Sequence, residues 1–403
     1  MKNQRIAIIG AGTAGLAAAT LLGRQGHDVT LIERAKSLTA VGAGILLQPS
    51  GIGVLSEIGC LEHMLQYGHR IDALYGWNKS GRVIMQVQYS HLKANHDLFG
   101  LGVHRASLCH VLDTALIAVP HKRWFGCEVN SIQQSAREAI VSFHNETQEH
   151  REAFDAVLIA NGSASQLRPQ SLVQYDRQYP WGAMWLIRPL NSSLSPLNKP
   201  LLQQRYDGSR RMLGVLPTGY IPNDTCTQML SLFWSLPVAS IPNWQNENFD
   251  FEGWKNSVVD LWPELSTLIN SIQSASELLP ATYRDVILSR WGVGRIGVIG
   301  DAAHAMSPQL GQGANMALLD ASAISAAVAV CDDWESVWAQ FTATRSGSIR
   351  FYQRMSRLLT PLFQSNYLGA AFVRDMAIPI SHHLPWLRQQ MAETVAGRKQ
   401  KWL

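Results

Sequence analysis

The chain has 403 residues, 46% hydrophobic and 16% charged, with a formal net charge of +4 at pH 7. That length and apolar content support a large buried core and two domains. The charge is too small and too dispersed for a nucleic-acid surface, and no Lys/Arg run is interleaved with aromatic residues. Five widely spaced cysteines (Cys60, Cys109, Cys127, Cys226, Cys331) form no C-x-x-C pair. That argues against a zinc or other metal site and against a disulfide framework, and it fits a reduced, cytoplasmic setting. A core strand already begins at Arg5, leaving no room for a signal peptide. No run of about 18 apolar residues predicts a transmembrane segment.

The stretch RIAIIGAGTAGLAAATLLGRQGHDVTLIER organises the chain. Ile6, Ala7, Ile8 and Ile9 read as a buried parallel strand, residues 16–24 as a helix, and residues 27–32 as a second strand ending on Glu33. Between them Gly10, Gly12 and Gly15 form G-x-G-x-x-G. Gly10 permits a tight turn, Gly12 lets the backbone approach a pyrophosphate, and Gly15 lets helix and strand pack closely. The helix N-terminus offers free N–H groups to phosphates, and Glu33 can accept hydrogen bonds from a ribose. This is a dinucleotide-binding fingerprint, and by itself it does not separate NAD from FAD.

Gly42 and Gly44 follow, read either as a backbone held close to something flat or phosphorylated or as a plain connector. Residues 49–59 read as a short helix, and 71–89 as a hairpin turning at Lys79, Ser80 and Gly81. A strand then ends on His104 and Arg105 before a helix capped near Ser107. Residues 127–145 read as another hairpin. DAVLIA, residues 155–160, reads as a buried strand returning to the first sheet, ending in Asn161 and Gly162. From about Trp181 to Tyr283, strand-like segments separated by Pro, Asn and Gly suggest an antiparallel sheet, followed by a helical stretch at 254–272. Residues 296–299 form one more buried strand, ending at Gly300 and Asp301. Asp301 sits where the carboxyl ends of α/β strands bind ligands. Gly311 and Gly313 then lead into a long helix, and the pattern stays helical from Trp334 onward. The basic stretch RKQK near the end reads as a solvated tail.

GAGTAG, ANGSASQLR and GDAAHAMSPQLGQGANMALLDA, in that order, closely resemble the motifs of the FAD-dependent aromatic hydroxylases of the para-hydroxybenzoate hydroxylase type, the single-component flavoprotein monooxygenases. HRASLCHVL and GAGILLQPSGIGVLSEIG resemble that family's flavin-flanking segments. The resemblance implies an α/β fold: a Rossmann-like FAD-binding domain, a second antiparallel-sheet substrate domain and a C-terminal helical segment. The corresponding boundaries are 1–70, 98–175 and 284–330 for the FAD-binding domain, with the hairpin 71–97 inserted, 176–283 for the substrate domain, and 331–403 for the helical segment.

By position, the resemblance implies that Gly10, Gly12, Ala14 and Gly15 cradle the FAD pyrophosphate and that Glu33 binds the adenosine ribose. Arg34 and Arg105 lie along the cofactor, Gly44 belongs to the flanking loop, and Val129 meets the adenine side. Asp301 binds the ribityl or pyrophosphate part. Gly313, Ala314 and Asn315 line the flavin ring, with Pro308 near the oxygen chemistry. His304 reads as structural. The family's middle motif has Asp-Gly where this chain has Asn161-Gly162, which removes a charge. The implied reaction is hydroxylation of a small aromatic or heteroaromatic molecule with NADH or NADPH and O2, through a flavin hydroperoxide. The implied assembly is a monomer or homodimer. No catalytic residue is assigned. Tyr206, Arg188, Arg205 and Tyr220 are candidates for orienting or deprotonating substrate. The alternatives are another flavoprotein oxidoreductase on the same scaffold (Baeyer–Villiger, epoxidising or reducing) and a non-catalytic flavin-binding protein.

Overall fold

A computed structural model describes the whole chain except residues 39–43, 94–96, 192–193, 195–196, 247 and 401–403. Gly42 therefore lies outside the described residues. The strand Arg5–Ile9 sits near the centre of a six-stranded sheet, parallel to Asp28–Glu33 on one side and Ala156–Ile159 on the other. Ile296–Val298 extends the sheet beyond Ala156–Ile159, and Lys122–Phe125 extends it beyond Asp28–Glu33. Ile6, Ile8, Val29, Leu31, Val157 and Leu158 are fully buried. Such continuous apolar runs suit strands covered on both faces. The helices Thr13–Arg24 and Gly313–Val330 pack on each other, and a meander of three strands (Glu128–Gln134, Ala139–His144, Glu149–Phe154) packs against Arg5–Ile9 and Asp28–Glu33. Gly313–Val330 is long and apolar enough to cross a membrane, but 61% of it is buried inside the protein.

The second sheet has seven strands, in the order Leu279–Leu288, Val173–Pro189, Asp224–Pro237, Arg211–Ile221, Leu201–Asp207, Ala73–Asn78 and Val83–Gln88. Here the structure departs from the sequence reading. The hairpin at 71–97 belongs to this sheet, its strand Ala73–Asn78 pairing in parallel with Leu201–Asp207, Leu74 opposite Leu202. The boundaries expected at 176 and 284 fall inside the continuous strands Val173–Pro189 and Leu279–Leu288. A small sheet of Gly44–Leu47, Gly100–His104 and His69–Ile71 lies between the two large ones. At Gly102 a Cβ would stand 2.1 Å from the Pro217 carbonyl oxygen, so this contact needs a glycine.

Side chains alternate across the second sheet with period two. Leu213, Val215, Leu232 and Trp234 face outward into a core closed by Trp254 and Trp262 of the helical stretch. Met212, Leu216 and Phe233, one residue out of phase, face the opposite way and line a cavity. The helix Trp334–Phe363 packs on Gly313–Val330. After it, Ala370–Ala377 and Pro385–Val395 close over the cavity side of the second sheet.

Candidate active site

After Arg5–Ile9 the chain turns at Gly10 with φ +107°, where a Cβ would stand 2.6 Å from the Ala160 carbonyl oxygen. Gly15 packs its Cα against Gly10, since a Cβ there would come 1.8 Å from the Gly10 oxygen. Gly12, by contrast, has open space where a Cβ would be. It N-caps the helix Thr13–Arg24 without any side-chain cap, which leaves the first-turn N–H groups available. Glu33 is fixed by accepting from Ala11 N at 2.7 Å and Ala35 N at 2.9 Å.

A second pair of turns faces the first. Gly300, φ +61°, precedes Asp301–His304, and Gly311, φ +62°, precedes the uncapped N-terminus of Gly313–Val330. Asp320, fully buried, accepts from Gly300 N at 2.9 Å, Arg345 Nε at 2.9 Å and His304 Nε2 at 2.5 Å. Burial pushes the Asp320 carboxyl up, but the His304 and Arg345 charges outweigh burial and hold it below the usual carboxylate range. His304 is thus tied into the scaffold, as its sequence position suggests, although it also touches the cavity.

Both sets of turns open on one cavity of about 1270 Å³. Single ligand pockets run to roughly 1,000 Å³, so this cavity has room for a dinucleotide and a second molecule. Of the residues singled out from sequence, Gly10, Gly12, Ala14, Glu33, Arg34, Gly44, Arg105, Val129, Asp301, Pro308, Gly313 and Ala314 line it. Gly15 and Asn315 do not. Asn315 is fully buried behind the wall, where its Oδ1 accepts from Gln48 N at 2.8 Å and its Nδ2 donates to Gly311 O at 3.1 Å. It braces the Gly44–Leu47 strand against the Gly311 turn.

The four substrate-side candidates do not line the cavity either, each for a physical reason. Arg188 and Arg205 have the outward parity. Arg188 pairs with Glu277, and Arg205 lies between the rings of Trp77 and Trp262 at 4.2 and 4.7 Å. Tyr206 shares the inward parity but is sealed by Phe363, and its hydroxyl donates to Gln204 Oε1 at 2.6 Å. The Tyr220 hydroxyl accepts from Gln228 at 3.2 Å beyond the Gly219 irregularity.

Sequence reasoning missed three features and the role of a fourth, Arg168 of the middle motif. Gln48 lines the cavity, is fully buried and accepts from Tyr89, yet its Nε2 has no partner. Arg168, almost fully buried, donates to Ser163 O and Ala302 O at 2.5 Å each and to Ser165 O at 2.6 Å, tying the middle motif to the late one. Tyr283, its hydroxyl accepting from Trp185 Nε1 at 3.3 Å and pushed by burial up to about 12, faces the apolar end. Trp386, Leu387 and Met391 wall that end from the C-terminal helix. Only helical periodicity marked that segment, and periodicity does not say what a helix covers.

Residues 3–333 match the family model described as FAD binding domain. The chain belongs to that FAD-binding family. It is 29% identical over 336 residues to the 6-hydroxynicotinate 3-monooxygenase of Bordetella bronchiseptica, covering 80% of this chain and 82% of that one. It is 26% identical over 394 residues to the 2-heptyl-3-hydroxy-4(1H)-quinolone synthase of Pseudomonas aeruginosa, covering 93% of each. Among solved structures it superposes on Klebsiella pneumoniae HpxO complexed with FAD and uric acid with a TM-score of 0.78 at 19% identity, covering 98% of this chain and 97% of that one. The residues of this flavoprotein fit its cofactor. Two uncapped helix N-termini face one cavity, Gly12 leaves space for a pyrophosphate, and Gln48, whose buried amide nitrogen has no partner, lines the same cavity.

Proposed function

We propose that the protein is an FAD-dependent monooxygenase that uses NADH or NADPH and O2 to hydroxylate a neutral, largely apolar aromatic or heteroaromatic molecule. The observation that carries this reading is the single cavity joining two glycine turns to an apolar chamber under the second sheet. FAD held there would supply the redox chemistry between the nicotinamide and O2. Gly10, Gly12 and the Thr13–Arg24 N-terminus hold the pyrophosphate, Glu33 the ribose and Asp301 the linking chain. The uncapped N-terminus of Gly313–Val330 would stabilise negative charge developing on the flavin. Trp185, Leu216 and Phe233 exclude water from the reacting centre.

The substrate class follows from charge. Glu33, Arg34, Arg105, Glu128 and Asp301 line the nucleotide end, whereas the chamber walled by the second sheet is lined by neutral side chains such as Gln204 and Tyr283. Lys399 also touches the cavity, with its ammonium bonded to Gln390. Apart from Lys399, whose charge the neutral Gln390 amide leaves intact, the described side chains walling this chamber offer a buried carboxylate no cation to offset its desolvation. A quinolone-like ring with an apolar substituent, of the kind named in the Pseudomonas relative, suits the apolar walls of the chamber.

A compound screen that follows nicotinamide consumption together with product mass tests the reading. The expected result is stimulated oxidation and a gain of one oxygen with a neutral heteroarene. Stimulated oxidation that gives only peroxide with every neutral arene tried refutes it. Asp301→Ala is expected to lower FAD affinity about 10- to 100-fold, the loss of one charge-assisted hydrogen bond. Unchanged flavin content after dilution and desalting would remove Asp301 from the site.

A further inference from the structure

Eight of the thirteen exposed large hydrophobic residues in the described chain fall between residues 367 and 386. Leu368 is 98% exposed, Phe372 70%, Val373 54% and Met376 51%. The helix Ala370–Ala377 within this stretch is inverted. Arg374 points inward, fully buried, over the rings of Tyr206 at 4.8 Å and Phe363 at 5.4 Å, and it donates to Gly208 O at 2.8 Å. Asp375 also faces the protein, accepting from Asn78 Nδ2 at 3.0 Å. A helix resting on a protein surface in water buries its apolar side and exposes its polar one. Here the polar contacts fix the helix with its apolar side outward. A concentrated apolar patch of this kind marks an interaction surface.

The patch adjoins a part of the cavity wall that reaches the surface. Ile378, Ser381, Trp386 and Leu387 line the cavity from the same segment, and Trp386 is also 57% exposed. Across residues 378–400 the charged side chains are Arg388, Arg398 and Lys399 against one acid, Glu393, with Arg398 paired to Glu393 and Lys399 lining the cavity. An apolar patch carrying a tryptophan, in a segment of net positive charge, matches the chemistry of an anionic lipid surface.

We propose that residues 367–386 dock the protein on an anionic phospholipid bilayer, with the cavity wall at Trp386 against the membrane. A folded protein seated on the patch would cover that wall. A fluid bilayer covers the patch and still delivers apolar molecules through it. The docking itself stands apart from the catalytic reading. The route it gives a substrate rests on that reading, since an apolar arene would pass from membrane to chamber without crossing water.

The test is flotation of the full-length, flavin-loaded protein with vesicles of phosphatidylcholine and phosphatidylglycerol, read without any turnover. Wild type is expected to float with the vesicles, less so at high salt or without the anionic lipid. The double variant Phe372→Ser/Met376→Ser is expected to lose at least about tenfold in bound fraction, because two exposed apolar side chains leave the interface. Its flavin content and melting temperature should match wild type, since neither side chain is buried. Wild type remaining in the lipid-free fraction overturns the proposal, as does a double variant that floats equally well. Light scattering separates the other occupant. A wild-type dimer that the double variant converts to monomer, with no vesicle binding by either, assigns the patch to a second copy of the chain and overturns the membrane.

Discussion

Gly12→Val is expected to purify as a folded, soluble protein that has lost its flavin. A Cβ at Gly12 meets nothing within 4 Å, so the substitution does not disturb the packed fold. The new side chain fills the space in front of the Thr13–Arg24 N-terminus, which is where a pyrophosphate must sit to reach the uncapped N–H groups. Losing about two charge-assisted hydrogen bonds costs roughly 3–6 kcal/mol, or about 10²- to 10⁴-fold in FAD affinity. Gly15→Val is the contrast. Its Cβ would stand 1.8 Å from the Gly10 oxygen, so the helix must move off the sheet, and that variant should be insoluble or unfolded. Far-UV circular dichroism, visible flavin absorbance and FAD titration of Gly12→Val separate the two effects. A Gly12→Val protein that keeps its yellow colour through dilution and desalting would mean that no phosphate approaches this turn.

The glycine turns were legible because their information is local. An apolar strand, a glycine at positive φ and a helix start lie within a few residues of one another, so residue spacing alone places the turn. What was not legible depends on register between distant segments. Arg188 and Arg205 looked like substrate contacts, but the period-two alternation that puts Gln204 in the cavity puts Arg205 on the outer face, against Trp262. Sequence reveals the alternation and not which phase faces in. The hairpin at 73–88 was visible as a hairpin, but its sheet was decided by parallel pairing with Leu201–Asp207, far along the chain. Asn315 sits in a motif whose neighbours, Gly313 and Ala314, do line the cavity. Helical geometry turns it to another side, where it binds Gln48 N and Gly311 O instead. Arg168 belonged to a recognised motif, yet only the fold shows that it joins the Gly162 turn to Ala302.

Asp320→Ala is expected to lower stability by about 3–5 kcal/mol and the melting temperature by roughly 4–6 °C, because it strips a buried arginine of its partner. Arg345 is 5% exposed and Asp320 is fully buried, so no water replaces the lost carboxylate. The same carboxylate also holds Gly300 N and His304, so the turn that aims Asp301 at the cavity should loosen and flavin retention should fall. The pH dependence has a definite sign. The folded carboxyl lies below its unfolded value of about 3.9, so its contribution is complete above that pH and disappears as pH falls through the folded value. The melting difference between wild type and Asp320→Ala should therefore be widest near about pH 7 and narrow only as pH falls below about 4. Arg345→Met in the Asp320→Ala background removes the stranded cation, and it should recover part of the lost stability, as an apolar replacement of a broken buried pair does. A double variant no more stable than Asp320→Ala would show that the cost lies in the Gly300 turn rather than in the unpaired arginine.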